Sequence, residues 1–199
     1  MLICHERKLI SISVPKTGST SIHYALMAHL GMEFKFRDSD AHLYHLNAVD
    51  ISTILGAERF SDYFSFGVVR NPYDRMVSLY HDFRDQRGII RAPSFDEFVL
   101  RRFQPRWAGN IHFRPQTFFL CADGRTAVNA VYRFEDGLDS IMTRIGEIIG
   151  FSFSKIGHSR RSERDDWRQY YDRADVIDCI DSAFGDDFAT FGYERISAN

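Results

Sequence analysis

Two stretches share one pattern: an apolar, β-rich run, a tight turn, then apolar residues at helical spacing. In the first, KLISISV (residues 8–14) stops at Pro15, and after PKTGSTS the residues Ile22, Ala25, Leu26 and Leu30 recur until Gly31 ends the pattern. The spacing predicts a buried strand over 8–14 and a helix over 18–30. In the second, FSFGVV reads as a strand, Asn71 as a helix cap and Pro72 as a first helical residue. Tyr73, Met76, Val77, Tyr80 and Phe83 then form one apolar helix face. Two strand-turn-helix units imply an α/β fold, a parallel sheet flanked by helices on both faces.

The rest of the chain is expected to complete that architecture. SFDEFVLRRF is a third helical stretch after a turn at Ala92-Pro93, and QTFFLCADGRTAVNAVYRF reads as two extended segments separated by Asp123-Gly124. EDGLDSIMTRIGEIIG is an amphipathic helix stopped by Gly150. Residues 152–166 are polar and basic without apolar period, a loop long enough to suggest function. The C-terminal YYDRADVIDCIDSAFGDDFATFGY reads as a helix and then a turn, with GDDF solvated. At 199 residues, with no repeat or linker, the expectation is one domain over 1–199.

Lys and Arg (25) nearly balance Asp and Glu (27), and the net charge of −2 argues against a dedicated nucleic-acid or anionic-membrane binder. Cys4, Cys121 and Cys179 are far apart and odd in number, suggesting neither a disulfide framework nor a zinc site. No run approaches the roughly 18 apolar residues of a membrane span, and MLICHERK is too short and too soon charged for a signal peptide. A soluble, cytoplasmic protein is expected.

Chemistry concentrates in SVPKTGSTS, residues 13–21. A glycine-containing turn that leaves a strand and opens a helix aims backbone N–H groups at one spot, which the helix dipole makes attractive to an anion. The order differs from the nucleotide loop G-x-x-x-x-G-K-[ST], because Lys16 precedes Gly18. Open α/β sheets bind ligands at the carboxyl ends of their strands. There the first loop offers Lys16, Thr17, Gly18, Ser19, Thr20 and Ser21, while the second strand ends at Arg70, with Ser78 further along the next helix. A guanidinium fork and a hydroxyl suit a phosphate monoester, so two separate anion sites are expected.

PKTGSTS and VRNPYDRMVSLY resemble the 5′-phosphosulfate loop and the 3′-phosphate motif of sulfotransferases that use 3′-phosphoadenosine 5′-phosphosulfate (PAPS). YRFEDGLDSIMTRIG and DDFATFGY extend the resemblance to Golgi-type carbohydrate sulfotransferases and their bacterial relatives, over most of the chain. It implies a P-loop-like sheet and an O-sulfotransferase that moves a sulfuryl group from PAPS to a carbohydrate or glycosylated small-molecule hydroxyl. The product would be 3′,5′-adenosine bisphosphate, and no metal would be required. Lys16 would stabilise charge on the leaving oxygen, and Arg160 and Arg161 in HSRRSERDD would take the place of a late nucleotide loop. HLNAVDI matches at His45 the histidine context of glycosaminoglycan uronyl 2-O-sulfotransferases, which implies that His45 is the base.

Alternatives stay open at this stage. His42 lies in the same segment, and His112 in NIHFRPQ is a rival for the base. Arg70 could instead pair with a helix carboxylate, and the basic run 158–164 could be a solvated loop. At the level of function, the alternatives are a P-loop nucleotide kinase and a non-catalytic nucleotide-binding module.

Overall fold

The computed structural model describes residues 1–30, 45–88, 90–91, 94–103, 109–153 and 165–196. Its strands are β1 (Leu2–Cys4), β2 (Leu9–Ile12), β3 (Phe64–Val69), β4 (Cys121–Ala122), β5 (Arg125–Thr126) and β6 (Ala130–Arg133). The described helices of eight or more residues are α1 (Ser19–Leu30), α2 (Ala48–Leu55), α3 (Pro72–His81), α4 (Leu138–Ile149) and α5 (Ala174–Ala183). The chain divides into two compact units, residues 1–69 with 118–160 and residues 70–117 with 161–199.

The first unit holds a sheet in the order β1-β2-β3-β6. β2, β3 and β6 run parallel, as the repeated strand-turn-helix pattern requires, with Leu9 opposite Phe64 and Phe66 opposite Ala130. β1 is an antiparallel edge strand outside the elements predicted from the sequence. It reaches β2 through a turn in which Lys8 has φ +47°. Asn129 fixes the β3–β6 register, its side-chain oxygen accepting from both the N–H and the hydroxyl of Ser65.

Side chains alternate across a strand, so Phe66 and Val68 face one way and Gly67 the other. On the first face, Ile22 and Leu26 of α1 and Leu138, Ile141 and Ile145 of α4 pack with Leu9, Phe66, Val68 and Tyr132. On the other face Leu120 sits so close that a Cβ on Gly67 would lie 2.3 Å from its Cδ2. Leu120 ends a short helix, Gln116–Leu120, where two extended segments were expected. The extended reading holds only further on, where Asp123 (φ +49°) and Gly124 (φ +73°) make the β4–β5 turn.

The second unit is helical. Asn71 caps α3 by accepting from the Tyr73 N–H, with Pro72 at its first turn. The predicted face of Tyr73, Met76, Val77, Tyr80 and Phe83 is buried against Phe95, Phe98, Phe113, Val176, Ile180, Phe184 and Phe188. α3 continues into a wider turn over Asp82–Gln86, in which the Arg87 N–H reaches the Asp82 carbonyl. SFDEFVLRRF is helical as expected, with Ser94 as its cap. The C-terminal GDDF is no solvated turn, because it opens a helix over Gly185–Phe191 whose Asp187 is fully buried.

Candidate functional site

The loop after β2 is held by its own hydroxyls. Thr17 Oγ1 and Ser19 Oγ both donate to the carbonyl of Val14, at 3.0 and 3.3 Å. That double acceptor curls the chain back on itself before α1 begins. The curl needs left-handed backbone at Lys16 (φ +68°) and Gly18 (φ +79°). A glycine takes that conformation readily, whereas Lys16 carries about 1–2 kcal/mol of strain in it. Strain of this kind persists where surrounding structure enforces it, typically at ligand sites. A Cβ on Gly18 would also lie 2.9 Å from Leu138 Cδ2, so α4 packs tightly under the turn. Past the turn, the first helical residues Ser19, Thr20 and Ser21 direct their amides outward along the axis, the arrangement that attracts an anion.

His45 belongs to the same unit. Its Nδ1 lies 2.9 Å from the carbonyl oxygen of Ser13, at the root of the loop. A carbonyl only accepts, so Nδ1 carries the proton and the neutral ring has its lone pair on Nε2. The ring meets Phe119 edge-on, with centroids 6.3 Å apart. On its C-terminal side, Asn47 and Asp50 form a reciprocal capping box that starts α2, whose Ala48 and Ile51 are buried. The aspartate of HLNAVDI is therefore a capping residue that fixes the helix beside His45. His42, Arg160 and Arg161 lie outside the described residues.

A second histidine lies behind the loop. His23 on α1 is buried, with Nε2 3.0 Å from the Ser11 hydroxyl. Burial pushes its pKa well below the usual histidine value, and the nearby N-terminal amine and His45 push the same way. Within the helical pattern of Ile22 and Leu26 it carries no signal that marks it in the sequence.

In the second unit, Arg70 is nine-tenths buried, and its Nε donates to Asp74 Oδ2 at 2.7 Å. This is the helix-carboxylate pairing that the sequence left open. Asp74 and Ser78 are four residues apart on α3 and so share a face, and Ser78 is also buried. The backbone of Arg70 is clamped as well: its N–H donates to Gln116 Oε1 and its carbonyl accepts from Gln116 Nε2, both at 2.8 Å.

Gln116 is fully buried, and its own N–H and that of Thr117 donate to the two oxygens of Asp187 at 2.8 Å each. Burial raises the pKa of Asp187, while Arg75 and the two amides act to lower it. Arg75 is buried too, its pKa pushed down to about 10 by desolvation. It donates to the carbonyls of His112 and Arg114, and so fixes the NIHFRPQ segment. The ring of His112 lies edge-on to Phe83 at 5.6 Å.

The first unit thus sets His45 against Ser13, at the root of the Lys16–Ser21 loop, and the second sets Arg70 against Asp74 and Gln116, with Asp187 holding Gln116. Among the described residues no group of three or more His, Cys, Asp or Glu is arranged to hold a metal ion. No helix among them is long and apolar enough to cross a membrane.

A sequence model of the sulfotransferase family matches residues 1–194. The crystal structure of a sulfotransferase from Alicyclobacillus acidocaldarius aligns over 92% of each chain with 17% identity and a TM-score of 0.49. A search of curated proteins returned no significant match.

Proposed function

Because the chain belongs to the sulfotransferase family, we propose that it is a PAPS-dependent O-sulfotransferase acting on a hydroxyl of a carbohydrate or glycosylated small molecule. The donor supplies the sulfuryl group to the acceptor oxygen and departs as 3′,5′-adenosine bisphosphate. The residues fit such a donor, whose two ends are both anionic. The strained turn and the amides opening α1 suit its 5′ end, and the Arg70 fork with Ser78 suits its 3′-phosphate. Lys16 supplies the fixed cation where negative charge develops on the leaving oxygen. Arg160 and Arg161 are further donor contacts in this proposal. On this reading residues 1–199 are a single sulfotransferase domain with a P-loop-like sheet. The three cysteines, odd in number and far apart in the sequence, fit a reducing, cytoplasmic setting.

The observation that carries the proposal is the bond from His45 to Ser13. It fixes the tautomer that accepts a proton at Nε2, and it does so on the strand that leads into the anion-binding turn. His45 then removes the proton of the attacking hydroxyl, as a general base within reach of the loop.

The test is a thermal-shift panel of 3′,5′-adenosine bisphosphate, AMP, ADP and ATP without added metal. The bisphosphate is expected to stabilise the protein most, its 3′-phosphate adding on the order of 1.5–3 kcal/mol through charge-assisted bonds. Arg70→Ala removes that advantage. Equal stabilisation by AMP, or an absolute need for Mg²⁺, would replace this function with a kinase.

A further inference from the structure

We propose that Gln116 is a positioning residue for Arg70, and that Asp187 sets Gln116 in place. The role rests on the reading of Arg70 as the 3′-phosphate contact. A glutamine side chain carries the same donor and acceptor pair as a peptide group. Gln116 uses both on the backbone of Arg70, at 2.8 Å each. It supplies to Arg70 what pairing with β6 supplies to Val69 one residue earlier.

The clamp is itself held. Asp187, seventy-one residues further along, accepts from the Gln116 and Thr117 N–H groups with separate oxygens. It thereby caps the helix that Gln116 begins and fixes where the amide stands. Arg70, Gln116 and Asp187 are each at most 9% exposed, and the bonds from Gln116 to Arg70 and Asp187 are shielded from water. Asp74 meanwhile takes Nε of the Arg70 guanidinium. Backbone and stem are each fixed by a separate residue, which leaves Arg70 little freedom of aim. A contact to a phosphate depends on that aim, because the fork is planar and directional.

The ratio of affinities for 3′,5′-adenosine bisphosphate and AMP tests this. General loosening of the fold weakens both nucleotides, whereas a misaimed Arg70 weakens only the one with a 3′-phosphate. Calorimetric titration of Gln116→Asn is expected to show about a tenfold loss for the bisphosphate and less than about twofold for AMP. Asp187→Asn places an amide against the two donors and is expected to give the same selective loss. It also serves as the independent variant should Gln116→Asn melt below the working temperature.

Adding Gln116→Asn to Arg70→Ala is expected to cost nothing further in the ratio, because both act through one contact. Equal losses on both nucleotides, or an unchanged ratio in Gln116→Asn and Asp187→Asn while Arg70→Ala collapses it, overturns the positioning role alone. An unchanged ratio in Arg70→Ala overturns the assignment of the 3′-phosphate to Arg70, and the positioning role falls with it.

Discussion

The imidazole of His45 is tied through Nδ1 to the carbonyl of Ser13, three residues before Lys16 in the chain. One strand end therefore holds both the proposed base and the root of the turn proposed to take the donor's 5′ end. His45→Ala is expected to lower turnover by about 10² to 10⁴ while leaving binding of 3′,5′-adenosine bisphosphate intact. Parallel assays of His42→Ala and His112→Ala serve as controls. Near-normal turnover in His45→Ala with loss in His112→Ala would move the base to the NIHFRPQ segment.

Lys16 has two separable properties, its charge and its left-handed backbone. Lys16→Ala removes the charge and keeps the strain, and it is expected to lower turnover by roughly 10² to 10³ with the melting temperature nearly unchanged. Lys16→Gly removes both. It should be as inactive as the alanine variant yet more stable than it by about 0.5–1 kcal/mol, the strain relieved less the extra chain entropy that glycine loses on folding. Denaturant unfolding of the two variants measures the difference, and a glycine variant less stable than the alanine variant would show that the turn carries no strain.

His23 predicts an acid sensitivity with a definite sign. Its folded pKa lies well below its unfolded value, chiefly through burial. Above roughly pH 6.5 the ring is neutral in both states and has no effect. As the pH falls below that, the unfolded chain takes up a proton that the folded protein refuses, and stability declines by up to about 1.4 kcal/mol per pH unit. Melting curves recorded from pH 7.5 down to 5 should be flatter for His23→Gln than for the natural protein. Parallel curves would exclude His23 as the source.

Gly67 and Leu120 predict a compensating pair. Gly67→Ala puts a methyl group 2.3 Å from the Leu120 side chain and is expected to cost about 1–3 kcal/mol. Leu120→Ala opens the space, so the double variant should be more stable than the sum of the two single effects predicts. Simple additivity in chemical denaturation would mean that Leu120 moves aside without cost.

The parts of the fold legible in the sequence are those whose signals are local. β2, β3, α1, α3 and α4 follow from apolar period, from Asn71 and Pro72, and from glycine stops, each within a few residues of the element it sets. The short helix at Gln116 follows from none of these. QTFFL has β-forming composition, and its cap is Asp187, 70 residues away from Thr117. Composition likewise marks GDDF as solvent-exposed, because a buried aspartate is recognised only from the amides it meets. The loop hydroxyls show the same limit: spacing places Thr17 and Ser19 in the turn, but their bonds to Val14 depend on how it curls.

That curl bears on selectivity. The two bonds to the Val14 carbonyl are internal to the loop, so the conformational entropy of these residues is surrendered during folding rather than on arrival of a ligand. A rigid rim of this kind acts as a gauge. If the turn takes the donor's 5′ end as proposed, the guest would meet donors already in register and incur little ordering cost. On the proposed reading, opening the turn for a bulkier head would break both bonds, so the loop's own hydroxyls would set the size of the head it takes.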